Sequence, residues 1–293
     1  MAQNSNLKTQ NLKRLDPDKI QANLRTKRIG KKILVYDSTS STQAIATEYS
    51  KNKENDGLVI FAEEQTAGRG RTGTKWLSDR SDSILCSIVL NKGGSRTAPT
   101  ELLSLACAVA VAEAIGKPAK SQAKIKWPND IVINGKKVAG ILLESKLVAG
   151  RSSLVAQDDI RHTTYDIPDA TYIVGIGINC HQTRESFPAD LQPIATSIDI
   201  ESRSTVDRIS LAKRLLSSID HWLEVAENNS DKVIDQWRKL SIQLGHRVTL
   251  LFNGTKFTGN CIGIDPEKGL ILQLDTGGVR MFDAAHTTIA RQK

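Results

Sequence analysis

A nine-residue stretch rich in glycine and arginine is the segment of this sequence best suited to chemistry. It runs from Gly68 to Trp76 and places Arg69, Arg71 and Lys75 among three glycines. Glycines let backbone N–H groups approach an anion closely, and the arginine fork suits phosphate oxygens and carboxylates. We therefore interpret the stretch as an anion-binding loop rather than a mobile surface loop with solvated arginines.

Two other phosphate-binding motifs fit this stretch less well. Gly68, Gly70 and Gly73 match GxGxxG, but a dinucleotide fingerprint follows a strand directly and opens a helix. Here five residues intervene, and a strand is expected to follow. A Walker P-loop requires a different glycine–lysine spacing, and Trp76 stands where its magnesium-binding Ser or Thr would be.

Two further groups of residues could contribute to a site, although each also has an ordinary structural interpretation. Asn129-Asp130, after a proline and between two predicted strands, forms either a plain turn or an amide and a carboxylate at a pocket rim. Lys136 and Lys137 are neighbours on a strand and point to opposite faces. One of them can face a cavity, although strand lysines usually face solvent. Gly140 would let a ligand approach the backbone.

Two short polar or glycine-rich motifs complete the set. Ser41-Thr42-Gln43 can begin a helix, with Ser41 or Thr42 as the cap. The sequence Gly175-Ile176-Gly177-Ile178-Asn179 ends a predicted strand.

The elements that must position these residues follow from the apolar periodicity. The pattern predicts a helix from Asp16-Pro17 to about Arg25 and an exposed loop at 150–169. Further helices are expected at 41–50, 99–115, 206–223 and 232–241. Strands are expected at 33–36, 58–62, 84–90, 123–127, 131–133, 136–148 and 172–178. Closely spaced strands at 248–252, 256–264, 270–274 and 279–282 predict a small terminal barrel.

Composition argues against several other classes of protein. No apolar run approaches the ~20 residues that cross a membrane, and the N-terminus lacks the apolar core of a secretion signal. Four scattered cysteines and five scattered histidines show no metal-ligand spacing. Buried thiols in a reducing, cytoplasmic compartment are therefore expected.

The net charge of +8 could indicate a nucleic-acid partner. Nine basic residues fall within the first 32 positions, however, and solvated surfaces account for such runs more simply. Attraction to ATP or to an acidic partner protein is a further interpretation.

Together and in this order, the motifs GRGRTGTKW, KWPND, KVAGILLE and GIGIN resemble those of the biotin–protein ligase family, over about residues 30–293. The resemblance implies an α+β fold. Its core would be a mixed, mostly antiparallel sheet flanked by helices, like that of class II aminoacyl-tRNA synthetases, followed by a small SH3-like β-barrel. The implied domains are an N-terminal extension, partly disordered, at 1–29, a catalytic domain at 30–242 and the barrel at 243–293.

The resemblance also implies an activity and a set of site residues. Such enzymes activate biotin with ATP and Mg²⁺ as biotinoyl-5'-AMP, without a permanently bound metal, and pass it to a lysine of a biotin carboxyl carrier protein domain. Catalytic roles would fall to Arg69, Lys137 and Asp130, with Asp130 as magnesium ligand or general base. Biotin would contact Ser41, Thr42, Gln43, Gln65, Gly68, Arg69, Gly70, Arg71, Lys137 and Gly140. The adenylate would contact Arg69, Arg71, Lys75, Trp76, Asn129 and Asn179.

Several expectations about partners follow from the same resemblance. About 30 residues precede the core, too few for the DNA-binding domain of some family members, so no DNA partner and no membrane partner are expected. A homodimer is possible. The alternatives are a lipoate or octanoate ligase of the same fold and a non-catalytic, biotin-responsive regulator that binds nucleic acid. Ser38-Thr39 offers a second register for the Ser-Thr motif.

Overall fold

The computed structural model of this chain describes residues 14–91, 99–147 and 170–290. Residues 1–13 and the predicted loop at 150–169 lie outside the described residues. The described chain forms two β-sheets, and its long helices pack together with the first sheet. The predicted α+β class, with a separate C-terminal sheet, is confirmed.

The first sheet is built from seven strands, and six α-helices lie before, between or after these strands in the described chain. Its strands are β1 Ile33–Tyr36, β2 Val59–Ala62, β3 Ser83–Asn91, β4 Lys124–Lys126, β5 Asp130–Ile133, β6 Lys136–Leu147 and β7 Ala170–Asn179. The helices are α1 Pro17–Gln21, α2 Thr42–Tyr49, α3 Thr100–Gly116, α4 Ile198–Ser202, α5 Arg208–Asn228 and α6 Ser230–Leu240.

The strand order of the first sheet is β1-β2-β3-β7-β6-β5-β4. Only β1 and β2 pair in parallel, and every other pair is antiparallel, as expected for a mixed, mostly antiparallel sheet. This order brings β3, β7 and β6 side by side at the centre. Their alternate side chains therefore form one continuous floor on each face.

The two faces of the first sheet are covered differently. Helix α3 is buried along almost its whole length and packs between the sheet and helices α5 and α6, forming the main core. On the opposite face, helix α2 covers a smaller apolar cluster formed by Ala46, Leu58, Ile60, Val89 and Ile173. Helix α2 contacts β2, β3 and β7 on this face.

The element boundaries differ from the sequence prediction in a few places. Helix α1 ends at Gln21 rather than near Arg25 because Asn23 adopts a left-handed conformation (φ 59°), which a continuing helix does not allow. Helix α4 was not predicted because its five residues are too few to show a helical period. Its N-cap, Ser197, accepts a hydrogen bond from the Ile200 N–H.

The C-terminal sheet contains β8 Arg247–Phe252, β9 Thr255–Asp265, β10 Gly269–Leu274, β11 Val279–Phe282 and β12 Thr287–Ile289, in the order β11-β10-β9-β8-β12. The short strand β12 was not predicted. Three phenylalanines pack together, and the Arg280 guanidinium lies over all of their rings, at 4.4–5.4 Å from the ring centroids of Phe252, Phe257 and Phe282.

Specific hydrogen bonds join the C-terminal sheet to the first sheet and its helices. The Gln243 side chain accepts from the Trp127 N–H at 3.0 Å and donates to the Trp127 carbonyl at 2.9 Å. Glu101, in the first turn of α3, accepts from the Ala284 N–H at 3.1 Å. The predicted domain boundary at 242/243 stays a prediction. It falls in the segment between the end of α6 and Arg247.

No helix in the described part of the chain is long and apolar enough to span a membrane.

All four cysteines lie in the described residues and are buried. Burial raises the pKa of Cys86, Cys107 and Cys180 to about 12 and that of Cys261 to about 11. Thiolate is the reactive form, so near pH 8 only about one Cys86 thiol in ten thousand would be ionised.

We therefore expect the folded protein to react negligibly with a thiol reagent such as Ellman's reagent near pH 8. All four thiols should react once denaturant unfolds the chain, which serves as the control. Rapid modification of one thiol in the folded protein would contradict the burial described above.

Candidate active site

A cavity of about 750 Å³ lies over the centre of the first sheet, beneath the glycine–arginine loop. Residues of the C-terminal sheet, Thr288 and Ile289, also line it. The structure brings almost every predicted site residue to this cavity: Ser41, Thr42, Gln43, Gln65, Arg69, Gly70, Arg71, Lys75, Trp76, Asn129, Asp130, Lys137, Gly140 and Asn179.

Gly68 is the predicted residue that does not line the cavity. It is buried beneath the loop, where an added Cβ would lie 2.8 Å from the Trp76 carbonyl oxygen and 3.1 Å from the Gln65 side-chain nitrogen. A side chain at position 68 would therefore displace two residues that do line the cavity.

The start of helix α2 supplies one polar wall of the cavity. The Ser41 hydroxyl caps the helix by accepting from the Gln43 N–H. The Thr42 N–H and hydroxyl both donate to the Gln65 side-chain oxygen, at 2.7 and 3.0 Å. Ser41, Thr42 and Gln43 are buried, whereas Ser38 is exposed. The geometry thus favours the Ser41-Thr42-Gln43 register over the alternative.

The Gln43 amide belongs to a buried hydrogen-bond group. It donates to Glu144 at 3.1 Å and to the Ile173 carbonyl at 3.2 Å, and it accepts from the Ser87 hydroxyl at 3.0 Å. The Ser87 and Thr42 hydroxyl oxygens lie 2.8 Å apart. Sequence reasoning missed Ser87 and Glu144. The available signal for Ser87 was one hydroxyl within the apolar run of β3.

Glycines and one indole ring form the middle of the cavity. Gly140 on β6 pairs with Gly177 on β7, and the Trp76 ring lies against both. An added Cβ at Gly177 would come within 2.5 Å of this ring, and one at Gly140 within 3.0 Å. The buried indole Nε1 of Trp76 has no hydrogen-bond partner within the described residues.

Lysine and arginine residues also line the cavity. The Lys137 ammonium pairs with the Asp130 carboxylate at 2.5 Å and lies 5.6 Å from the Trp76 ring centroid. Lys136 does not line the cavity, so Lys137 is the lysine of the pair that faces it. The exposed Arg69 guanidinium has no hydrogen-bond or ion-pair partner among residues 14–91, 99–147 and 170–290.

The glycine–arginine loop folds back on itself as a tight turn. The Gly70 N–H donates to the Thr74 carbonyl at 2.7 Å, and the Trp76 N–H donates to the Gly68 carbonyl at 3.0 Å. Only a short 3₁₀ turn, Arg71–Gly73, forms within it. The loop opens no long helix, which distinguishes it from a dinucleotide-binding turn.

Arg71 lines the cavity, and its predicted contact with substrate stays a prediction, but its guanidinium is also bound to the C-terminal sheet. It donates to the carbonyls of Ala284 and Thr287, the latter at 3.3 Å, and to the Asn129 amide oxygen at 3.4 Å. Burial lowers the pKa of Arg71 despite nearby carboxylates, but arginine stays protonated in proteins. In this arrangement Arg71 links the loop to the C-terminal sheet.

Comparison with known proteins identifies the family. Residues 35–156 match the model of the biotin/lipoate A/B protein ligase family. The bifunctional ligase/repressor BirA of Bacillus subtilis is 32% identical over 273 residues, which cover 92% of this chain and 78% of that protein. The chain belongs to the biotin/lipoate A/B protein ligase family. The biotin–[acetyl-CoA-carboxylase] ligase of Mycobacterium tuberculosis is 30% identical, over 90% of this chain and 93% of that protein.

A solved structure within this ligase family supports the same conclusion about the fold. The biotin protein ligase from Aquifex aeolicus, in complex with biotin and ATP, superposes with a TM-score of 0.71 at 25% identity. The match covers 89% of this chain and all of that protein. The two-sheet architecture is therefore that of the ligase family.

Gly140 and Gly177, which we call the glycine floor, give a prediction that can be tested without substrate. In Gly177→Ala the new methyl group should force the Trp76 ring away from the sheet, because 2.5 Å is too short for a carbon–carbon contact. The other three tryptophans are buried, so quenching of tryptophan fluorescence by iodide should increase.

Gly263→Ala is the matched control, because an added Cβ at this strand glycine meets only an ordinary contact at 3.5 Å. The added quenching should disappear in the double variant Gly177→Ala/Trp76→Phe. Equal quenching of Gly177→Ala and the unmodified protein would show that the ring does not lie on this floor.

Proposed function

We propose that this protein activates biotin with ATP as biotinoyl-5'-AMP and then transfers the biotin to a lysine of a carrier protein. The proposal rests on the order in which polar residues, glycines and cationic residues line the cavity. A polar group around Gln43 is followed by glycines and then by Lys137, and Arg69 lines the same cavity. This order fits an acid with a polar, uncharged head and a short acyl chain.

The geometry of strand β7 sets the distance between the polar group that would bind the head of biotin and the Trp76 ring farther along the cavity. An added Cβ at Gly175 would meet the Gln43 side chain, and one at Gly177 would meet Trp76. Two residues on the same face of a strand lie about 7 Å apart. The fused ring system of biotin carries a ureido group with N–H donors and a carbonyl acceptor, which matches the buried hydroxyl and amide groups of Thr42, Gln43 and Ser87.

Arg69 and Lys137 would reduce the charge repulsion that opposes the first step, the formation of the adenylate. A carboxylate and a triphosphate repel each other at contact distance, and cations in a partly dry site offset that repulsion most effectively. The Arg69 guanidinium has no partner in the described part of the chain, and Lys137 lies beside Gly140. Attack of the biotin carboxylate on the α-phosphate would release pyrophosphate and leave the mixed anhydride.

Asp130 is the residue that we propose for either of two tasks. It would hold Mg²⁺ together with triphosphate oxygens, which is how proteins commonly bind this ion, and the ion would neutralise phosphate charge. Alternatively it would accept the proton of the acceptor lysine, whose ordinary pKa is about 10.4. Residues 14–91, 99–147 and 170–290 contain no group of three or more His, Cys, Asp or Glu residues that could hold a metal ion.

A carrier domain of a biotin-dependent carboxylase is the acceptor that we propose. The Mycobacterium tuberculosis relative is named a biotin–[acetyl-CoA-carboxylase] ligase, which supports this choice. A homodimer stays a prediction.

Acid selectivity tests the proposed function. The purified protein with ATP and Mg²⁺ is given biotin, lipoate or octanoate, and pyrophosphate release and the acyl-adenylate are measured. A site built to hydrogen-bond a polar head rejects an analogue without that head by about 10⁴-fold. Biotin should therefore react and label a carrier domain. Preferred activation of lipoate or octanoate would instead support the related acyl ligase.

The cation assignments give a separate prediction. Arg69→Ala and Lys137→Ala should each slow biotin-dependent pyrophosphate exchange by about tenfold or more, a loss of about 1.4 kcal/mol of transition-state stabilisation. Lys136→Ala is the matched control, because Lys136 neighbours Lys137 but lies outside the cavity. Exchange at the control rate in either variant would remove that residue from the assigned role.

A further inference from the structure

A buried ion pair lies outside the cavity, at the base of the glycine–arginine loop. The Arg208 guanidinium contacts the Glu63 carboxylate at 2.9 Å, and each side chain is only 1% exposed. Glu63 directly follows β2, and Arg208 begins α5, 145 positions later. Buried charges are costly unless they are paired and hydrogen-bonded, so such a pair fixes the elements that carry it.

Glu63 joins the two ends of one chain segment. We call residues 64–80 the active-site loop, because they include the glycine–arginine stretch and Gln65. Beyond its far end, the Ser81 N–H donates to the Glu63 carbonyl at 2.9 Å, and the Ser81 hydroxyl donates to the Glu63 carboxylate at 2.8 Å. Arg208 also donates to the Ser83 carbonyl at 3.1 Å.

The second carboxylate oxygen of Glu63 is also occupied. It accepts from the Leu15 N–H at 2.5 Å, and the Leu15 side chain is buried in the main core. The carboxylate therefore binds the chain before β1, the residue after the active-site loop and the start of α5 at once. None of these residues is a predicted site residue.

A short set of contacts connects this pair with the cavity. The Ser83 hydroxyl accepts from the Gln182 side chain at 2.6 Å and from the Ser78 hydroxyl at 2.8 Å. Ser78 and Gln182 both line the cavity. A shift of Arg208 would thus move Ser83 and, through it, two residues of the cavity wall.

We propose that Glu63, Ser81 and Arg208 act as positioning residues that hold both ends of the active-site loop so that Arg69 meets the substrates. This inference rests on the proposed function for its kinetic consequence. Fixing the ends of a glycine-containing loop lowers the conformational entropy that it must lose when it orders over a ligand. The three residues touch no substrate themselves.

Two variants of different severity test the proposal. Ser81→Ala removes one hydrogen bond to Glu63 and keeps the ion pair, so the protein should fold. Glu63→Gln keeps the side-chain shape but removes the charge opposite Arg208. Asp56→Asn is the matched control, because Asp56 pairs with Arg28 at 2.7 Å and also accepts from the Asn91 N–H, away from the loop.

The first readout uses the empty protein and requires no substrate. Hydrogen–deuterium exchange of residues 64–80 should become faster by about tenfold in Ser81→Ala and Glu63→Gln, and stay unchanged in Asp56→Asn. Unchanged exchange in both loop variants would overturn the proposal. This readout remains decisive even if the unmodified protein makes no biotinoyl-adenylate, an outcome that would contradict the proposed function alone.

The second readout is kinetic and is made at a temperature where every variant is folded by circular dichroism. The value of kcat/KM for biotin-dependent pyrophosphate exchange should fall by about fivefold or more in the two loop variants, and by less than about twofold in Asp56→Asn. Arg208→Lys, which keeps the charge, should retain more activity than Arg208→Met. If the loop variants lose only thermal stability, as the control does, Glu63 and Ser81 have a structural role alone.

Discussion

The pairing of two strands that both carry glycine on the same face is the constraint on which this structure depends. Register sets Gly140 opposite Gly177, so the backbone of both strands is bare at this point, and Leu142, opposite Gly175, lines the cavity beside it. Helix α2 on one side and the Trp76 ring on the other then enclose the space. The intervening isoleucines of β7 point to the opposite face and enter the main core. The alternation of glycine and isoleucine along β7 thus places the glycines at the cavity and the isoleucines in the core on the other face.

The charges around this floor are arranged by different means. Lys137 is held on a strand, and its backbone is further fixed by the segment that contains Ile194 and Thr196. Arg69 instead lies on a turn and is exposed. A cation fixed on a strand and a cation without a partner among the residues that the structure describes therefore line the same cavity. This combination suits a reaction that must first admit two anions and then hold them together, since electrostatic stabilisation is most effective when part of it is already in place.

Much of this fold and site could be predicted from local sequence patterns. Alternating apolar residues located the central strands, and the order of the motifs indicated residues that the cavity brings together. The missed features depend on distant contacts. Glu63 and Arg208 read as ordinary charged residues at the ends of elements, and only the tertiary fold buries them against each other. Strand β12 is three residues long, which gives no period to detect. Ser87 was hidden because its neighbours read as a uniformly buried strand.

The partners of Arg71 have a consequence for how this family can vary. The guanidinium binds main-chain carbonyls at 284 and 287, and every residue type supplies such an oxygen. Side chains at these two positions can therefore change through evolution without weakening the link between loop and C-terminal sheet, provided that the backbone keeps its path. Covariation between residues in alignments would miss this contact, and the three-dimensional structure is needed to detect it.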